Sequence, residues 1–256
     1  MFDISKKMDD RLVLGDTEYQ LFLSFDRVLW VFDMWSKEHI PPHLKPKLAL
    51  AKLTENESFK DMDTQEALAL YEEVFRKHFH IQEGDKVVVC AGLYFRRKGI
   101  EDFVEVARRM PDVRFIWLGS INKWIIPRKI RNLVLFNHPK NVEFPGYFKG
   151  SVFEGAMSGS SLFFFPSYEE TEGIVVLEAL ASHQHVVLRD IPVYEGWIDE
   201  QSAELGHNVD EFVDSIQKIL DGKVDKREAG YKVAQSRSID DVAYKLVDAY
   251  REVLEM

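Results

Sequence analysis

Short apolar runs alternate with longer stretches of helical periodicity from about residue 85 to the end of the chain. The pattern predicts strands at 86–91, 113–118, 141–144, 162–165 and 185–189. It predicts helices at 99–109, 152–158, 173–181, 210–220 and 240–254. Apolar strands that alternate with amphipathic helices indicate a parallel sheet covered on both faces. We therefore predict an α/β fold with a doubly wound parallel sheet.

The first 80 residues show a different pattern, with no complete series of alternating strands and helices. Residues 21–34 are apolar and aromatic, and Pro41-Pro42 interrupts the chain after them. A helix is predicted at 64–79, and its apolar positions are Ala67, Leu68, Leu70, Tyr71 and Val74. We divide the chain into a short, mostly helical N-terminal segment at 1–80 and a doubly wound domain at 81–256.

Composition excludes several classes of function. The chain has 256 residues and a formal net charge of −10, which argues against nucleic-acid binding. The single cysteine, Cys90, lies in an apolar run and cannot form an internal disulfide. The N-terminus has no apolar signal core, and no apolar run reaches the roughly 18 residues of a membrane span. A cytoplasmic protein is the expectation.

The junction between the strand at 162–165 and the next helix carries the chemistry that defines the site. Glu170 lies in the loop, and Glu178 lies eight positions further on, inside the helix. Gly173 heads the helix, where the N–H groups of Ile174 and Val175 are free to bind an anion. Because helix side chains lean toward the N-terminus, Glu178 can reach back toward a bound ligand. Carboxylates beside an anion site suit the hydroxyl groups of a sugar attached to a phosphate.

Two further loops should meet this junction at the carboxyl ends of the strands. The turn at 92–99 places Arg96, Arg97 and Lys98 just before a helix, where they suit a diphosphate. A solvated basic turn is the alternative for these cations. The strand end at 143–147 places Phe144 and Tyr147 where they could flank a base, although ordinary core or rim aromatics are the alternative.

Several of these segments resemble one enzyme family, in the order in which that family carries them. The spacing from Glu170 to Glu178 resembles the E-x7-E signature of retaining GT-B glycosyltransferases. Residues 92–99 resemble the G-x5-K-G turn of that family, and Gly146-Tyr147 its turn on the nucleobase side. The resemblance covers about residues 84–200, the Rossmann-like, nucleotide-sugar-binding half. The segment EETEGIVVLEALAS, followed by RDIPVYEGW, looks most like the corresponding part of bacterial diacylglycerol glucosyltransferases.

The resemblance implies a role for each matching residue. Lys98, helped by Arg97, would stabilise the leaving diphosphate without a metal ion or other cofactor, and Glu170 would hold the transferred sugar. Glu178 would accept hydrogen bonds from the ribose. The remaining nucleotide-sugar-binding positions are Gly92, Gly146, Tyr147, Gly173, Ile174 and Val175. Transfer of a hexose, with glucose as the expected sugar, from a UDP-sugar would then retain the anomeric configuration.

Two departures from the family pattern affect this interpretation. Leu93 stands where the family has an arginine, so phosphate binding must depend on Arg96 or Arg97. Only about 80 residues precede the first matched strand, so we interpret 1–80 as a truncated or atypical acceptor-side region. A partner subunit that supplies the acceptor side is one consequence. Residues 123–131 combine cations with apolar residues, which suits either a peripheral contact with the inner face of a membrane or a solvated helix.

Two functions from different classes remain open on the sequence. The first is a hexosyltransferase that acts on a diacylglycerol-like lipid or another glycan acceptor. The second is a non-catalytic nucleotide-sugar-binding subunit, or a fragment, that lacks the acceptor domain. A nicotinamide dehydrogenase is disfavoured because no G-x-G-x-x-G follows the first strand.

Overall fold

The computed structural model describes residues 64–122 and 125–255. The predicted helical character of residues 1–63 and the apolar run at 21–34 lie outside the described residues. The chain divides into two units, 1–63 and 64–256, and the second unit is described below.

Six parallel strands form one sheet in this unit. In chain order they are β1 (Val87–Ala91), β2 (Arg114–Leu118), β3 (Val142–Gly146), β4 (Leu162–Phe165), β5 (Val186–Arg189) and β6 (Glu204–Gly206). Their order across the sheet is β3-β2-β1-β4-β5-β6. The chain therefore runs outward from β1 to β3, returns to the centre, and continues outward on the other side. The switch point lies between β1 and β4, where Val88 pairs with Leu162.

Helices connect the strands and follow the last of them. They are α1 (Thr64–His78), α2 (Ile100–Arg109), α3 (Arg128–Leu135), α4 (Ser151–Gly159), α5 (Ile174–Ala181), α6 (Val209–Leu220), α7 (Arg227–Gln235) and α8 (Ile239–Glu255). Short 3₁₀ turns occur at Arg96–Lys98 and Pro192–Tyr194. The doubly wound α/β fold predicted from the sequence is confirmed.

The central strands are buried along their whole length, as expected for a sheet covered on both faces. Every residue of β1, β4 and β5 is buried. Aromatic rings pack between α2 and the sheet: the Phe103 ring lies 5.4 Å from Phe115 and 5.0 Å from Trp117, centroid to centroid. Cys90 is a buried core residue, as predicted. This packed core fixes the strand ends from which the site loops emerge.

Helix α1 belongs to the second unit, so the boundary lies at 63/64 and not at the predicted position after residue 80. The helix packs closely on α4, because a Cβ atom on Gly155 would lie only 1.9 Å from the Tyr71 carbonyl oxygen. Its core contacts come from Phe75, which is fully buried, and from the following Phe79. Of the apolar positions named for this helix, Leu70 and Val74 are exposed. Aromatic side chains at the end of the helix decide which face is buried.

Candidate functional site

The loops at the carboxyl edge of the sheet surround one cavity beside the switch point. The cavity has a volume of about 390 Å³. It is lined by Ala91, Gly92, Leu93, Arg97, Lys98, Leu118, Gly119, Tyr147, Phe148, Phe153, Glu170, Thr171, Gly173, Ile174 and Val175. Most of the site residues predicted from the sequence are therefore neighbours. Four predicted residues do not line this cavity: Arg96, Phe144, Gly146 and Glu178.

Two loops meet directly at the switch point: the basic turn, residues 92–99, and the acidic loop, residues 166–173. Gly99 adopts a left-handed conformation (φ 76°), and a Cβ atom there would lie 2.1 Å from the Pro166 carbonyl oxygen. The Arg97 carbonyl accepts hydrogen bonds from the Tyr168 N–H (2.7 Å) and the Ser167 hydroxyl (3.2 Å). Glycine is thus needed at 99 because the backbones of the two loops touch.

A nearly buried ion pair joins the two loops. Lys98 Nζ lies 2.5 Å from Glu170 Oε1, and the side chains are 13% and 7% exposed. The Ser167 hydroxyl donates to the same carboxylate oxygen at 2.5 Å. Lys98 Nζ also lies 5.1 Å from the centroid of the Phe165 ring, which favours a cation. Sequence reasoning assigned Lys98 to a phosphate and Glu170 to a sugar, and it did not anticipate this direct contact.

The two arginines of the basic turn have different surroundings. Arg97 lines the cavity, and its guanidinium donates to the Glu169 carbonyl at 3.0 Å. Arg96 is directed away from the cavity, with a side chain 77% exposed and paired with Glu101 at 3.0 Å. The structure therefore selects Arg97 as the arginine beside the cavity, a choice that the sequence left open.

The N-terminus of α5 supplies backbone donors to the cavity. Gly173 caps the helix with φ 79°, and Ile174 and Val175 line the cavity after it. Within the described residues, no acceptor is bonded to the N–H of Ile174 or Val175. Because the helix dipole adds positive potential here, an anionic group is favoured at this end. Glu178 is exposed and lies one helical turn beyond Ile174 on the same side of α5.

The end of β3 forms the opposite wall. Tyr147 is 70% exposed and lines the cavity, while the Gly146 carbonyl accepts a 2.7 Å hydrogen bond from the Gly119 N–H. Behind this wall, burial raises the pKa of Tyr94 to about 12, and the Tyr94 hydroxyl is hydrogen-bonded to the Gly146 backbone. Leu93 forms part of the cavity wall.

Arg189 was missed in the sequence analysis, and it fixes the acidic loop. The buried guanidinium donates to the Pro166 carbonyl at 3.1 Å and forms an ion pair with Asp102. Its central carbon lies 3.9 Å from the centroid of the Tyr168 ring, whose hydroxyl donates to Asp102 at 2.7 Å. A charge at the end of an apolar strand was the available signal, because such a residue needs a buried partner.

Two features are absent from the described residues. No group of three or more histidine, cysteine, aspartate or glutamate side chains is placed to hold a metal ion. No helix in 64–122 or 125–255 is both long and apolar enough to cross a membrane.

A doubly wound sheet with a cavity, two cations and a helix N-terminus at its switch point is typical of nucleotide-binding domains. The family model for glycosyl transferases group 1 matches residues 72–237. The chain therefore belongs to the group 1 glycosyltransferases. A second model, that of the bacteriophage Gp15 protein, matches residues 8–90, which is less than half of the chain.

Individual relatives agree with the family. The chain is 49% identical over 198 residues to the processive diacylglycerol alpha-glucosyltransferase of Acholeplasma laidlawii, covering 77% of this chain and 59% of that protein. It is 31% identical over 122 residues to the alpha-galactosylglucosyldiacylglycerol synthase of Streptococcus pneumoniae (strain ATCC BAA-255 / R6), covering 47% of this chain and 33% of that protein. The chain thus spans less than two thirds of the length of these curated relatives.

The fold is shared with solved glycosyltransferases of the GT-B class. Sucrose-phosphate synthase from Thermosynechococcus elongatus superposes with a TM-score of 0.63 at 21% identity. The match covers 72% of this chain and 49% of that chain. The predicted GT-B nucleotide-sugar half is therefore confirmed as a fold.

Proposed function

We propose that the protein transfers glucose from UDP-glucose to a diacylglycerol-like lipid, with retention of the anomeric configuration. The observation that carries the proposal is the single cavity that combines Lys98, Arg97 and the free N–H groups of α5 with the Glu170 carboxylate. Cations and backbone donors suit a diphosphate, and a carboxylate among them suits the hydroxyl groups of the attached sugar.

The roles follow from position in the cavity. Lys98 and Arg97 stabilise the departing diphosphate without a metal ion, and the N–H groups of Ile174 and Val175 bind the same phosphates. Gly92 and Gly173 line the cavity and carry no side chain, so a ligand can approach the backbone there. Tyr147, with Gly146 behind it, flanks the base. Glu178 accepts from the ribose hydroxyls, and Glu170 holds the sugar. Catalysis then depends on positioning and on leaving-group electrostatics.

The lipid acceptor is proposed from the two named relatives and from one edge of the molecule. No acidic residue occurs between Asp112 and Glu143, although the chain as a whole has a net charge of −10. Along this edge α3 exposes Arg128 and Lys129, of which Lys129 is paired with Glu101 of α2. Two exposed apolar side chains, Ile125 (68%) and Phe136 (80%), lie beside them. Cations beside exposed apolar residues suit the anionic surface of a membrane. We propose that this edge contacts the cytoplasmic leaflet.

The test of the catalytic proposal uses the full chain with radiolabelled UDP-glucose and vesicles that contain diacylglycerol. We expect a labelled glycolipid, whose anomeric configuration can be read from the coupling constant of its anomeric proton. UDP binding without any transfer would leave the alternative, a nucleotide-sugar-binding subunit whose partner supplies the acceptor side. Absence of both UDP binding and transfer would reject both functions.

The membrane proposal has a separate test. Sedimentation with vesicles that contain anionic lipid should capture the wild-type protein, and Arg128→Glu should reduce capture several-fold. Arg108→Glu is the control, since Arg108 is exposed on α2, outside this edge. Equal capture of both variants and the wild type would contradict the assignment of this edge.

A further inference from the structure

Tyr194 is a buried tyrosine whose hydroxyl is unsatisfied. The residue is 2% exposed, and among the described residues its hydroxyl is the one buried side-chain nitrogen or oxygen without a hydrogen-bond partner. Burying a hydroxyl without a partner is unfavourable, and folded proteins usually avoid it. A second state of the site, in which this hydroxyl has a hydrogen-bond partner, would account for a tyrosine at this position.

The Tyr194 hydroxyl lies at the base of the proposed donor site. A Cβ atom on Gly173 would lie 3.2 Å from the hydroxyl oxygen, so the phenol end packs against the cap of α5. Burial, and then the neighbouring Glu170 carboxylate, raise the pKa of the phenol. The group therefore keeps its proton at neutral pH and is available as a donor.

The ring is held in place by its own turn. The Tyr194 N–H donates to the Ile191 carbonyl at 3.0 Å, and the ring packs edge-on against Trp197 with centroids 5.5 Å apart. The Trp197 indole N–H donates to the Val193 carbonyl at 2.7 Å. A change of hydrogen bonding at the hydroxyl must therefore come from movement of its neighbours, because the tyrosine is fixed.

Glu170 is the neighbour whose partners must change. Both hydrogen bonds to its side chain within the described residues, from Lys98 and from Ser167, fall on Oε1. In the proposed function Lys98 leaves this carboxylate to bind the diphosphate. A carboxylate that is only 7% exposed would then lose its cation, which is strongly unfavourable unless another donor replaces it.

We propose that the Tyr194 hydroxyl donates a hydrogen bond to the Glu170 carboxylate when a nucleoside diphosphate draws Lys98 away. Tyr194 is then a positioning residue that acts through Glu170 and does not touch the nucleotide. No proton is transferred, since one neutral donor replaces a cationic one. The inference rests on the proposed function, because it requires Lys98 to bind the diphosphate.

The first test is UDP binding to full-length Tyr194→Phe, measured by titration calorimetry. We expect affinity to fall about tenfold, with a melting temperature equal to or above that of the wild type because no resting hydrogen bond is lost. Tyr231→Phe is the control. Tyr231 lies in α7 and stacks on His183, so this substitution should leave UDP affinity unchanged. A clear fall in the melting temperature of Tyr194→Phe would mean that the hydroxyl has a resting partner, and would overturn the inference.

The second test asks whether Tyr194 acts through Glu170. In a Glu170→Ala background the acceptor is gone, so adding Tyr194→Phe should change UDP affinity by less than about twofold. An equal loss in both backgrounds would mean that the hydroxyl binds the phosphate directly, which also overturns the inference.

The outcomes separate this inference from the function on which it rests. If the wild type binds UDP and Tyr194→Phe binds it equally well, the role of Tyr194 fails and the donor site stands. If the wild type does not bind UDP, both are rejected.

Discussion

The basic turn and the acidic loop meet at the same switch point, yet they are held in different ways. The acidic loop is fixed by a network in which Arg189, Ser167 and Tyr168 bond to backbone and side-chain groups. In the basic turn, Arg96 is exposed and Lys98 is held at its charged end by one carboxylate. The comparison suggests a division of roles: the backbone of the acidic loop is held in place, whereas the ion pair between Lys98 and Glu170 is the contact that we propose to change when a diphosphate binds.

The largest expected effect comes from separating the two loops. Gly99→Ala combines a left-handed backbone with a 2.1 Å clash against Pro166, so we expect a loss of about 3–5 kcal/mol in unfolding free energy. Gly84→Ala is the matched control, because Gly84 also has a positive φ (86°) but nothing lies within 4 Å of an added Cβ. It should cost about 1 kcal/mol. Urea denaturation measures both, and equal losses would show that the loops do not press on each other.

The next effect concerns the cation that changes partner. Lys98→Ala should lower glucosyl transfer by about 100-fold, because the leaving diphosphate loses its principal cation. It should also destabilise the fold by about 2 kcal/mol, since Glu170 is left nearly buried and without its cation. Arg96→Ala is the control and should retain most activity, because Arg96 is exposed and paired outside the cavity. Similar rates of glucosyl transfer for the two variants would show that Lys98 and Arg96 do not have different roles.

The smallest effect is expected for Glu178, which lies outside the lining of the cavity. Glu178→Ala should weaken UDP binding about tenfold, through loss of hydrogen bonds between a charged group and the ribose. Glu172→Ala serves as its control, since Glu172 is exposed in the acidic loop and does not line the cavity. Calorimetry with UDP checks both variants. Unchanged affinity in Glu178→Ala would place the ribose elsewhere.

Much of the fold could be predicted because its signals are local. The strand at 162–165 was predicted with the observed bounds, and α5 begins one residue after the predicted start. β3 continues through Pro145 to Gly146, two residues beyond the predicted end at 144. Because β3 is the edge strand of the sheet, a missing N–H is tolerated there. β6 and α7 were missed, since one is three residues long and the other has a polar sequence.

The candidate site was predictable as a set of segments but not as a set of contacts. Gly92, Lys98, Glu170, Gly173 and their neighbours line one cavity because strand order brings their loops together. Glu178 remains a prediction, since it lies on the correct side of α5 but outside the cavity lining. Tyr194 carries no signal in its own segment, and its relevance depends on a hydroxyl buried against a glycine far away in sequence.

The sequence by itself determined the alternating elements, the family motifs and the two loops that carry charge, because each follows from residue types within a short window. The tertiary structure alone decided which charges meet. Lys98 bonds to Glu170, 72 positions away in the chain, while Arg96 faces solvent. That choice depends on the contact between Gly99 and Pro166 and on the hydrogen bond from Arg189 to the Pro166 carbonyl, which together position the two loops. The periodicity of the sequence predicts where a loop begins along the chain, but only tertiary packing determines which of its side chains touch each other.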